Sequence, residues 1–303
     1  MRLYLVRPGP SLLFKSSGMI HSASRRRGLI VLGCIVKSVV VVAPCLLAAV
    51  LPANGAEIGL QELQLATDRN EPVRAIFAKP AGEGRRPAVI FNHGTGVRKD
   101  GYEGSLNRGG MNVGDFVRAL VRENYVAIAP IRTILASEAS FSRGKMTGSP
   151  EQWSEIIAFG IRAVAAARHH LAKRPDVDPE RIAVMGFSEG GNVSLWSAIE
   201  TPGYRAVVLL SPATISLSPV YRLGMASKKD QVAKIGAPVF LSTGTDDNRS
   251  ILEATRKFLI PNLETTNPKF RSRTDYPGSH DWFWKVRDEY WMDVAAFLKE
   301  HLG

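Results

Sequence analysis

Cysteine is nearly absent. The 303-residue chain has two, Cys34 and Cys45, both within its first 56 residues. The region after them therefore has no disulfide framework, no thiolate metal site and no cysteine nucleophile. Acid is missing from the same opening segment, where residues 1–56 carry seven Lys or Arg and no Asp or Glu. The formal net charge of +11 thus overstates the rest, which holds 32 basic against 28 acidic side chains. Such a balance, with no basic stripe and no interleaved aromatics, excludes nucleic acid as an expected partner. Long apolar runs are lacking too. The unbroken run at 39–51 is shorter than the ~18 residues that a membrane span requires. No internal repeat or low-complexity linker is present. His93-Gly94-Thr95-Gly96 does not continue into the G-K-[ST] of a phosphate loop, and no cofactor or metal is expected.

What the opening segment does have is the layout of an export signal. Arg25, Arg26 and Arg27 precede an apolar stretch broken only by Lys37 and Ser38, and small residues follow at Ala53, Gly55 and Ala56. A positive flank, an apolar core and small residues at a cleavage point are its three parts. Residues 1–56 are expected to be removed near Gly55 or Ala56, leaving an exported protein, periplasmic or secreted. Met19 is an alternative start. If the segment stays, it is the one expected contact with a membrane. Residues 57–303 suit a single domain, and its oligomeric state is not readable.

That domain alternates strand-like and helix-like segments. Residues 62–65 and 73–79 read as opening strands, the second a half-exposed edge strand. Buried strands are expected at 88–92, 125–131, 182–185, 206–210 and 239–242, and a last strand at 269–276. Helical spacing marks 115–124, 151–173, 192–200, 251–259 and 285–302. The stretches 95–114 and 211–235 read as loops. The pattern predicts an α/β fold, a mostly parallel sheet with helices on both faces. In such sheets ligands bind beyond the carboxyl ends of the strands.

One strand-to-helix junction carries chemistry. Gly186-Phe187-Ser188-Glu189-Gly190 is G-x-S-x-G, in which glycines relieve the clash that side chains would create around a strained serine. The motif alone is weak, because an ordinary glycine-rich turn reads the same way, and it gains force from partners downstream. A serine hydroxyl needs a base, and the base an anion to fix its tautomer. His280, in Tyr276-Pro277-Gly278-Ser279-His280, follows a strand and sits at the expected rim. His169 and His170 fall on a long helix, His301 is terminal, and His93 more readily shapes the backbone. The acid is Asp247 or Asp246, with Asp247 taken first. The order Ser188, Asp247, His280 is that of α/β-hydrolases. Two N–H donors must meet the oxyanion formed in acyl transfer, and Glu189 N–H and Thr95 N–H are the candidates. The Glu189 side chain has no evident role.

Together with Phe91-Asn92-His93-Gly94 and Asp178-Pro179-Glu180-Arg181, these residues make the chain resemble the α/β-hydrolases, and within them the dienelactone hydrolase-like group. The resemblance spans residues 60–303. It implies an α/β-hydrolase fold and a small-molecule ester or acyl substrate. Dienelactone hydrolases use a cysteine nucleophile where this chain has Ser188, so it implies a broader esterase role with a Ser188–Asp247–His280 triad. Two other readings use the same residues: a peptidase or amidase resembling the prolyl oligopeptidase catalytic domain, and a catalytically silent binding protein on a hydrolase fold. Residues 95–114, 133–148 and 211–235 are expected to face substrate, with Arg98, Lys99, Arg132 and Arg143 available to an acidic one. Trp282, Phe283 and Trp284 are expected to pack against the closing helix.

Overall fold

The computed structural model describes residues 57–133, 139–142 and 145–303. Residues 1–56, expected to be an export signal, and Arg143 lie outside the described residues. Ten strands alternate with eight α-helices among the described residues. In chain order they are β1 (Gln61–Ala66), β2 (Pro72–Ala78), β3 (Arg86–Asn92), α1 (Thr95–Asn107), α2 (Val113–Arg122), β4 (Val126–Ile131), β5 (Ser140–Ser142), β6 (Lys145–Thr147), α3 (Pro150–Ala172), β7 (Val177–Phe187), α4 (Glu189–Glu200), β8 (Ala206–Leu210), α5 (Lys229–Val232), β9 (Val239–Asp246), α6 (Arg249–Ala254), α7 (Ile260–Thr266), β10 (Phe270–Ser279) and α8 (Asp288–Leu302). Strands β5 and β6 form a separate antiparallel ribbon. The others form one sheet in the order β1-β2-β4-β3-β7-β8-β9-β10. Pairing is parallel from β4 through β10 and antiparallel for β1–β2 and β2–β4.

Alternation along each strand builds two cores. Ile90, Val184, Val207 and Leu209 face one layer with Trp153 and Ile157 of α3 and Val193 of α4. Val89, Phe91, Met185 and Val208 face the other with Phe116 and Leu120 of α2 and Val294 and Phe297 of α8. Successive strand side chains point to opposite faces, so a strand covered on both faces must be apolar at nearly every position. Helix α3 starts cleanly because Ser149 and Gln152 form a reciprocal capping box ahead of Pro150.

Two expectations are corrected. Residues 73–77 are not an edge strand, since β1 pairs outside β2 and leaves Val73 and residues 75–78 buried. Residues 95–107 are not a loop but helix α1, broken at Gly101, where φ is 73°. Glycines at 96, 101 and 104 lower helix propensity enough to hide it in the sequence. None of the helices among the described residues is long and apolar enough to cross a membrane.

Candidate active site

The carboxyl ends of β3, β7, β8, β9 and β10 share one rim. Asn92 pairs with Gly186, Phe187 with Leu210, and Asp246 with Ser279. The residue after β7 is Ser188, at φ 56° and ψ −120°. A non-glycine residue held in this region costs of order 1–3 kcal/mol and persists only where its surroundings impose it. Here they do. A Cβ at Gly186 would collide with the Gly190 carbonyl, and one at Gly190 with the carbonyls of Asn92 and His93. Ser188 stands at the N-cap of α4 but makes no capping bond. Its hydroxyl donates instead to His280 Nε2 at 2.8 Å.

His280 opens a 3₁₀ turn, His280–Trp284, just past β10. Its Nδ1 lies 2.7 Å from Asp247 Oδ1. Facing a carboxylate, Nδ1 carries the proton, which leaves the Nε2 lone pair for the serine hydroxyl. The Asp247 side chain is fully buried whereas Asp246 is exposed, so the structure brings Asp247 and not Asp246 to the imidazole. Asp247 also accepts from Asn248 N–H at 2.6 Å. A third partner went unread in the sequence. Ser211, immediately after β8, is buried at φ 44°, donates through Oγ to Asp247 Oδ2, and lies 2.8 Å from His280 Nδ1. Its position one residue past a buried strand, on the same rim, was the available signal. Phe187 supports the imidazole, with ring centroids 4.8 Å apart.

Thr95 and Glu189 are the first residues of α1 and α4, and the first N–H groups of a helix have no intrahelical acceptor. The two helix starts are adjacent, since a Cβ at Gly94 would lie 3.3 Å from Ser188 Cβ. Below them the Glu189 carboxylate, 0 % exposed, binds Arg98 Nε at 3.0 Å and Arg132 Nη1 at 3.0 Å. Arg98 and Arg132 are thus buried partners of Glu189 rather than cations offered to a substrate, which corrects the expectation for both. His93 is buried beside them. Its Nε2 accepts the Arg132 N–H at 3.0 Å, so Nδ1 donates to the Gly94 carbonyl at 2.9 Å. Burial, reinforced by the Arg132 charge, holds its pKa well below the usual histidine value, and it is a neutral shaping residue.

Ser188, His280 and Thr95 line a cavity of about 540 Å³. Among its described lining residues the acidic side chains are Asp100, Asp246 and Asp281, and the one arginine, Arg108, is held by Asp100 at 2.8 Å. Lys99 is exposed and does not line it. Nor do the described residues of 133–148 and 211–235. Trp284 does, while Trp282 and Phe283 pack on Tyr276 and on Tyr290 of α8 as expected. No group of three His, Cys, Asp or Glu among the described residues is arranged to hold a metal ion.

A mostly parallel eight-stranded sheet with a serine on the tight β7–α4 turn defines an α/β-hydrolase fold. The chain belongs to the dienelactone hydrolase family, whose sequence pattern matches residues 73–297. It is similar in structure to a Klebsiella pneumoniae protein named as a dienelactone hydrolase, at 20% identity and TM-score 0.60 over 81% of this chain and 100% of that one. It is similar also to an esterase of Pyrococcus furiosus, at 20% identity and TM-score 0.58 over 81% of this chain and 94% of that one. Likeness at this identity establishes the fold. Among curated proteins, Bacillus subtilis YtaP, a hydrolase by name, is 28% identical over 148 residues, 46% of this chain and 48% of that protein. The chain therefore spans about half the length of the curated relative it matches.

Proposed function

We propose that the protein is a serine hydrolase that cleaves carboxylic esters through an acyl-enzyme. The observation that carries this reading is the unbroken hydrogen-bonded line from Ser188 Oγ through the imidazole of His280 to Asp247. Ser188 Oγ attacks the carbonyl carbon and its proton passes to His280 Nε2. The oxyanion is held by Glu189 N–H and Thr95 N–H. Collapse expels the alcohol, which takes the proton from Nε2. Water then attacks the acyl-enzyme, giving its proton to the same nitrogen, and the acid leaves as Ser188 is reprotonated. Asp247 stabilises the imidazolium that forms twice in each cycle. A silent binding protein has no use for a strained serine aligned on a base.

A fluorophosphonate probe tests the reading. It is expected to add once, at Ser188, as located by mass spectrometry of the digested protein; addition elsewhere, or none, sinks it. Esters are expected to turn over faster than the matching amides, and the reverse order would favour the peptidase reading.

The cavity also argues about substrate charge. Asp246 and Asp281 are exposed at its wall, and Arg108, the one arginine among its described lining residues, is already paired. A substrate carboxylate would meet like charge and no free cation among these described lining residues. p-Nitrophenyl acetate is therefore expected to exceed p-nitrophenyl hemisuccinate in kcat/KM by about tenfold, a difference of about 1.4 kcal/mol. Added salt should narrow the gap, because exposed charges are screened over about 10 Å at 0.1 M. Equal or better hydrolysis of the succinyl ester would refute this.

A further inference from the structure

The Glu189 carboxylate joins the two oxyanion donors. Thr95 Oγ1 donates to Glu189 Oε2 at 2.9 Å, so the residue supplying one N–H is tied by its side chain to the residue supplying the other. The carboxylate is clamped from its other side. Arg98 Nε reaches both of its oxygens, at 3.1 and 3.0 Å, and Arg132 Nη1 reaches Oε1 at 3.0 Å. The arginines anchor the network elsewhere. Arg132 donates through its side chain to the His93 carbonyl, and Arg98 Nη2 to the Ala139 carbonyl at 2.6 Å. The ends of β3 and β4 and the start of α4 are thus fixed to one buried anion.

Stability alone does not account for such an arrangement. Ionised groups withdrawn from water often stabilise a fold less than apolar residues of the same volume would. What this one does is hold two helix starts at a set spacing, at the place where a displacement of about 1 Å can lower a rate about 10²-fold. We propose that Glu189 is a positioning residue, whose carboxylate fixes the spacing of Thr95 N–H and Glu189 N–H through the Thr95 hydroxyl. The inference rests on the serine-hydrolase reading of the site.

Thr95→Val carries the test, because it is nearly isosteric, removes only the hydroxyl and strands no charge. On a p-nitrophenyl ester, kcat is expected to fall about 10- to 100-fold with KM within about twofold. A trifluoromethyl ketone places an oxyanion in the hole, so its Ki should rise by the factor by which kcat/KM falls. Thr95→Ser, which restores a hydroxyl, should recover most of both losses. Unchanged kcat and Ki in Thr95→Val overturn the proposal. So do a fall in kcat that the ketone does not follow and failure of Thr95→Ser to recover activity. If the serine-hydrolase reading fails instead, the native protein is not labelled at Ser188; if only this inference fails, labelling persists and the ketone binds Thr95→Val as it binds the parent.

Discussion

Ser188→Ala is expected to lower kcat on p-nitrophenyl esters by about 10⁴- to 10⁶-fold, the range for removing a nucleophile from a triad. The loss should leave the fold intact. Alanine keeps the Cβ that the turn already accommodates, and Gly186 and Gly190, whose lack of a Cβ lets the turn close, are untouched. Adding His280→Ala to Ser188→Ala should cost almost nothing more, because base and nucleophile act as one unit and the second loss finds nothing left to disable. Activity in Ser188→Ala within tenfold of the parent would exclude Ser188 as the nucleophile. Two full and multiplicative losses would mean that His280 acts on something else, such as a water molecule.

Asp247→Asn is expected to cost about 10⁴-fold in kcat. The asparagine amide would face His280 Nδ1 with a donor or a neutral acceptor. Either way the imidazole loses the anion that keeps its proton on Nδ1 and that stabilises it when charged. Asp246→Asn is expected to cost less than tenfold, since Asp246 is exposed and makes no contact with the imidazole. The neighbouring pair is thus its own control, with identical chemistry one residue apart. Ser211 and Asn248 N–H still meet the side chain at 247 in the variant, so its place in the wall is kept while its charge is lost. Steady-state kinetics of the two variants side by side settle the assignment, and a larger loss in Asp246→Asn would reverse it.

The parts of the site that were legible in the sequence are those set by local sterics and chain order. Gly186 and Gly190 declare the turn because the collision they avoid lies within a few residues or on the adjoining strand. The apolar runs declare the parallel strands, and the rim then places Ser188, Asp247 and His280 together. Whatever depended on a distant partner stayed hidden. Arg98 and Arg132 look like surface cations until Glu189, 91 and 57 residues away, is seen to bury them. Ser211 looks like the first residue of a loop until Asp247 is seen to receive its hydroxyl. Helix α1 was hidden by its own glycines. The choice between adjacent aspartates turns on where β9 ends, which a pattern read from sequence places only to within a few residues.

The angles at Ser188 have one consequence for when its hydroxyl becomes chemically awake. An unfolded chain seldom visits them, and the imidazole that sharpens the oxygen comes from 92 residues downstream. On the proposed reading, wherever the sheet loosens this serine reverts to one dormant alcohol among many, so its labelling by an acylating probe would gauge how much of a preparation is native.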